Sequence, residues 1–222
     1  MKTDNAIYNS AGRPRKRSCG MTLIEVLVAA SISTIILSVV VSFLIAGRQM
    51  SETGQAFTVS HGNARLAADW ITRDVRAATQ IMDNHDGFTT ETDCLILEVP
   101  SIDAAGDVIF ATDDEGEPIF DEFESYDYII YRQSDADSSI LERIVDIDAG
   151  SSRAAFFTND SFTPIESIDS LEFSSGGAEL SDVADVTSLD NVDISISTGQ
   201  TLISGRRTVE NNMSTNVKLR NQ

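Results

Sequence analysis

The residue whose type and position most demand a chemical explanation is Glu25. It is the one charge in Met21–Ala46, a run of 26 otherwise uncharged and largely apolar residues. A carboxylate inside an apolar helix costs a few kcal/mol or more unless it finds a partner. Two outcomes are open. The side chain can snorkel to a nearby interface, or it can pair with a cation. A cut between Gly20 and Met21 would place a new ammonium group four residues before Glu25. An amine and a carboxylate attract strongly in low dielectric, within one chain or between neighbours, and such a pair fixes their relative register. That is recognition chemistry, not catalysis.

Other candidate groups carry less. The loop Asp113-Asp-Glu-Gly-Glu117 and the pair Asp135/Asp137 offer hard oxygen ligands for calcium, but neither has an EF-hand spacing, and solvated loops are the simpler reading. His61 falls on a helical stripe and His85 in a polar turn, each without Cys or His at ligand spacing, so no zinc site is expected. Cys94 opens the apolar run Cys94–Leu97 and reads as a small buried hydrophobe, not a reactive thiol. No G-x-S-x-G, P-loop or dinucleotide fingerprint occurs. No enzymatic activity and no cofactor are expected.

The segments around Glu25 must position it. Arg13-Pro-Arg-Lys-Arg-Ser-Cys-Gly20 is basic and polar, and Met21–Ala46 is long enough as a helix to cross a bilayer core of about 30 Å. The basic cluster favours a cytoplasmic N-terminus with the remainder outside. A secretory signal would have a shorter apolar region and a small-residue cleavage site after it. A lipoprotein cysteine would follow the apolar region, whereas Cys19 precedes it. A twin-arginine signal needs adjacent arginines, which Pro14 and Lys16 prevent. The formal net charge is −19; residues 1–20 hold five bases against one acid, leaving 11 Lys and Arg against 34 Asp and Glu, a net of −23. Such a surface repels phosphates, which argues against nucleic acid as a partner. With Cys19 removed, no internal disulfide is possible.

Gly20-Met21-Thr22-Leu23-Ile24-Glu25-Val26, after a basic leader and before a long apolar helix, resembles the class III signal of type IV prepilins and type II secretion pseudopilins. The resemblance covers roughly residues 13–46. It implies cleavage by prepilin peptidase after Gly20, methylation of Met21 as the new N-terminus, and Glu25 as the assembly glutamate. Met21 stands where the family usually has Phe. It also implies other pilins or pseudopilins as partners through the N-terminal helix, an inner-membrane assembly platform, and a single-pass inner-membrane location before incorporation into a filament.

No proline interrupts residues 15–99, so one helix can run on from the anchor. Phe57, His61, Ala64, Ala68, Ile71, Val75, Ala78 and Met82 follow a heptad-like spacing that sets them on one face, ready for a sheet or for a coiled coil. Arg65, Asp69 and Arg73 can pair on another face. The stretch Arg65–Arg76 is similar to that of W-type minor pilins and J-type minor pseudopilins. Beyond residue 86 the period becomes that of strands: Leu95–Val99, Val108–Ala111, Tyr126–Tyr131, Ile140–Val145, Leu171–Phe173, Val192–Ile196 and Asn216–Arg220. The expected class is α+β, a long N-terminal helix whose outer half packs on a C-terminal antiparallel sheet. The expected segments are a cleaved leader 1–20, a membrane and assembly helix 21–46, an amphipathic continuation 47–85 and a β-rich domain 86–222. A minor pilin or pseudopilin in a priming or tip complex fits this plan. A signal-anchored exported binding protein or enzyme that never enters a filament is the competing reading.

Overall fold

The computed structural model describes residues 20–153, 165–202 and 208–219. Residues 1–19 of the expected leader, and Arg220 at the end of the last expected strand, lie outside the described residues. The chain divides into two compact units, Met1–Gln49 and Met50–Gln222. Helix α1 covers Leu23–Ala77.

Strands β1 (Gln80–Ile81), β2 (Asn84–His85), β3 (Phe88–Thr89), β4 (Cys94–Pro100), β5 (Phe110–Thr112), β6 (Pro118–Phe123), β7 (Tyr126–Gln133), β8 (Leu141–Asp146), β9 (Ile168–Ser175), β10 (Ala178–Glu179), β11 (Asn191–Thr201) and β12 (Thr208–Lys218) follow. They form two four-stranded antiparallel sheets, in the orders β1-β4-β7-β8 and β10-β9-β11-β12, with the hairpins β2-β3 and β5-β6 beside them. The architecture is α+β as expected, with two principal sheets where one was anticipated. In β11 the side chains Val192, Ile194, Ile196 and Thr198 are buried alternately, the period of a strand covered on one face. Strand β4 is buried from Leu95 to Pro100, as befits a central strand covered on both faces.

The outer part of α1 joins the core through Ala64, Ala67, Ala68, Ile71 and Val75, against Leu95, Leu97, Ile129, Leu171, Phe173 and Ile194. The expected stripe is correct from Ala64 onward and displaced before it. Phe57 and His61 are exposed and stack on each other, with centroids 6.0 Å apart, while Ala56 and Ser60 are buried. The cause is close approach to β11. Ser60 Oγ lies 2.7 Å from Thr198 Oγ1, and Thr198 Oγ1 donates to the Ser60 carbonyl at 3.0 Å. Only small side chains fit where backbones come this near. A β-bulge between Ser197 and Thr198 in the β9–β11 pairing accompanies this contact.

The helix stops at Ala77, not at residue 85. Neither Gly nor Pro ends it. The amide of Thr79 donates to Glu98 O at 2.8 Å and that of Met82 to Ile96 O at 2.9 Å, so β4 recruits the following backbone as β1. Ladder bonds to a buried strand outweigh a local preference for further helix. Ala78 stays buried, and Met82 sits beyond β1 in a half-buried position.

Candidate functional site: the start of the anchor helix

Thr22 precedes the first helical residue, and Glu25 lies three positions on. The Thr22 amide donates to Glu25 Oε2 at 2.8 Å and its hydroxyl to the same oxygen at 3.0 Å, while the Glu25 amide donates to Thr22 Oγ1 at 3.3 Å. This is a reciprocal capping box, which satisfies amides that a helix start otherwise leaves open. It also places a negative charge at the positive end of the helix dipole. Glu25 therefore has a partner within its own helix start. Sequence reasoning singled out Glu25 and missed Thr22, although the spacing Thr-x-x-Glu ahead of an apolar run is itself the capping signature.

Gly20 is exposed, and a Cβ built there would meet nothing within 4 Å. Among the described residues, nothing at that position requires glycine. Met21 is 67% exposed and lies directly before the cap.

From Leu23 the helix is long and apolar enough to cross a membrane. Four of its hydroxyls turn back on their own backbone: Ser31 to Leu27 O, Thr34 to Ala30 O, Ser38 to Ile35 O and Ser42 to Ser38 O, at 2.8–2.9 Å. Hydroxyls bonded in this way need no water, which suits an apolar surrounding.

The other sequence candidates fall elsewhere. His85 is not alone: Nε2 lies 2.8 Å from Asp146 Oδ2, and its ring stacks on Tyr128 at 3.7 Å. Asp113 Oδ1 accepts the amides of Glu115 and Glu117, both at 2.9 Å, so this carboxylate closes its own turn. Asp137 Oδ1 accepts the hydroxyl and amide of Ser139 in the same manner, which holds its carboxyl below the ordinary value. Among the described residues, no three of His, Cys, Asp and Glu gather as metal ligands would. Cys94 is half-buried, and desolvation, aided by Asp93, pushes its thiol up to about 11. A thiol so rarely ionised near neutrality is a poor nucleophile. Arg65 reaches Asp69 at 3.7 Å with both side chains largely exposed, a contact that adds little stability.

Two buried polar clusters had no sequence signal. In the first, Asp74 of α1 accepts the Tyr131 hydroxyl at 2.6 Å and Arg143 Nε at 2.7 Å through Oδ2, tying the helix to β7 and β8. Burial first, and the Asp74 charge second, push the Tyr131 hydroxyl well above its ordinary value. In the second, the fully buried Asp127 accepts from Arg153 Nε at 2.6 Å, Ser151 Oγ at 2.8 Å, Asp148 N at 3.0 Å and Ser101 Oγ at 3.2 Å. Both clusters satisfy a buried carboxylate with donors from several elements, the arrangement of a structural clamp.

Residues 15–41 match the model of the prokaryotic N-terminal methylation motif. No curated protein and no solved structure matches the chain. The match spans the basic segment, the cap and the first part of the apolar helix. It points to a type IV pilin-like or pseudopilin precursor, and to a structural subunit rather than an enzyme. An apolar N-terminal helix carrying this motif fits a single-pass, membrane-anchored protein.

Proposed function

We propose that this chain is a minor pilin or pseudopilin, cut by prepilin peptidase after Gly20, methylated on Met21, and assembled through α1 into a type IV pilus or a type II secretion pseudopilus. A place in a priming or tip complex suits the similarity of Arg65–Arg76 to minor subunits. The observation that carries the reading is Glu25, lying within the matched motif at 15–41 and held at the helix start by Thr22. A plain membrane anchor has a use for a cap there, which Gln would supply as well as Glu, but not for the charge. Its assembly partners are other pilins or pseudopilins and an inner-membrane platform. The anchor sits in the inner membrane with its N-terminus in the cytoplasm and the β-rich unit outside. Residues 1–20 form the leader, 21–46 the membrane and assembly helix, and the rest the exported part.

Gly20→Val tests the processing step. A Cβ at position 20 meets nothing among the described residues, so the variant should insert and fold. It should nevertheless accumulate as full-length precursor in cells with active peptidase, because the branched side chain obstructs the peptidase site. A variant trimmed as fast as wild type would remove Gly20 from the cleavage site.

A further inference from the structure

The β5–β6 hairpin carries an aromatic cluster that the anchor does not use. The Phe110 ring packs edge-on against Phe120, centroids 5.3 Å apart, and stacks on Phe123 at 5.6 Å. The three rings line a cavity of about 320 Å³, walled elsewhere by Val99, Ile102 and Val108, with Arg153 beside them. Arg153 brings no open cation to it: Nε bonds Asp127 and Nη2 the Pro100 carbonyl. The cavity is thus mainly apolar, and the charge of Arg153 beside it is matched by Asp127. Phe120 is 71% exposed, against 41% for Leu66 on the helix. One exposed ring alone is ordinary, but Phe120 is continuous with Phe110, Phe123 and the cavity they line, and a contiguous apolar surface of this kind suits an interaction site.

The surroundings select the partner. Residues 99–131 hold ten Asp and Glu and no Lys or Arg. Asp103, Asp107, Asp113, Glu115, Glu117 and Glu122 are exposed. Asp103 and Asp107 lie in the turn between the cavity-lining Ile102 and Val108. Asp113, Glu115 and Glu117 lie in the turn of the hairpin that carries the rings, so these acids flank the cavity in the chain. A protein interface likewise sets an apolar centre within a polar rim, and a few buried anchors carry most of its affinity. A second copy of this chain would bring the same acids and a net charge of −19, and would be repelled.

We propose that this cavity docks a partner protein that inserts one large apolar side chain flanked by lysines or arginines. The inference concerns the β5–β6 face alone and stands apart from the reading of the anchor.

Three fluorescein-labelled peptides test it against the full chain in detergent micelles: Lys-Lys-Trp-Lys-Lys, the same peptide with Ala for Trp, and the same with Glu for each Lys. Fluorescence anisotropy at low salt should show the first bound about tenfold or more tighter than either control, a difference of about 1.4 kcal/mol. Phe120→Ala should abolish that margin and leave the circular dichroism unchanged, since the ring is mostly in water. Glu115→Gln combined with Glu117→Gln should weaken binding at low salt and have little effect at high salt. Equal binding of the Ala peptide would reduce the surface to unspecific charge, and equal binding of the Glu peptide would remove the basic requirement. Unchanged affinity in Phe120→Ala would place the site elsewhere. Any of these three results overturns the proposal.

Discussion

Glu25→Ala should insert and be cut like the wild-type chain and then fail to co-purify or crosslink with partner pilins. On the proposed reading, cleavage creates an ammonium group on Met21, which pairs with a Glu25 carboxylate inside an apolar helix bundle. Deleting the acid leaves the amine there without its counter-charge. Removing one side of a buried ion pair typically costs about 3–5 kcal/mol, or a factor of roughly a hundred to a few thousand in association. The precursor is spared, because its Met21 nitrogen is still an amide. The capping box adds a competing explanation, and substitution separates the two. Losing a helix cap costs about 0.5–2 kcal/mol, too little to unmake a helix of 55 residues. Glu25→Gln keeps a carbonyl oxygen to accept from the Thr22 amide and hydroxyl but carries no charge. If capping recruits this subunit, Gln should behave as wild type. If charge pairing does, Gln should fall between Glu and Ala. Wild-type incorporation of Glu25→Ala would show that neither role of Glu25 recruits the subunit.

The second large effect lies in the β-rich unit and concerns stability. Asp74→Ala should destabilise the fold by about 3–5 kcal/mol, a large share of the roughly 5–15 kcal/mol that holds a domain together. Asp74 and Arg143 have side chains only 6% and 7% exposed, and the Tyr131 hydroxyl points at the same carboxylate oxygen. Without Asp74, a buried guanidinium and a buried phenol lose their acceptor together, and water cannot replace it cheaply. Tyr131→Phe is the milder change, about 1–2 kcal/mol, because Asp74 and Arg143 keep each other. Urea denaturation of the full chain in detergent, followed by Trp70 fluorescence, measures both. A midpoint for Asp74→Ala within error of Tyr131→Phe would show that the helix does not depend on this ion pair.

What the sequence revealed and what it hid follow from the range of the forces involved. Apolar periodicity exposed the helix and strands such as Val192–Ile196, because burial on one face imposes a period on the residues themselves. It placed the helical stripe well from Ala64 onward but favoured Phe57 and His61 over Ala56 and Ser60, since periodicity cannot sense how closely β11 approaches. The end of α1 was hidden for a related reason: it is set by hydrogen bonds from Thr79 and Met82 to Glu98 and Ile96 of β4, far along the chain. Strand β6 escaped notice because it begins with Pro118 and carries acids, a composition that reads as loop; a proline is tolerated at the first position of a strand. The clamps at Asp74 and Asp127 were illegible. Their partners lie 57 and 26 residues away, and a lone acid that will be buried looks like any solvated one. At the anchor the sequence singled out Gly20, Met21 and Glu25 through a resemblance, while the cap at Thr22 went unread although the Thr-x-x-Glu spacing carries it.

The mass of the mature protein tests the central claim most directly. Extracted from membranes of cells with active prepilin peptidase, the chain should be lighter than its precursor by residues 1–20 and heavier than the remaining 21–222 by one methyl group, with that methyl on the nitrogen of Met21 in the N-terminal peptide. A full-length chain, or one cut after Ala46 as a secretory signal would be, contradicts the assignment of this protein to the pilin-like precursors.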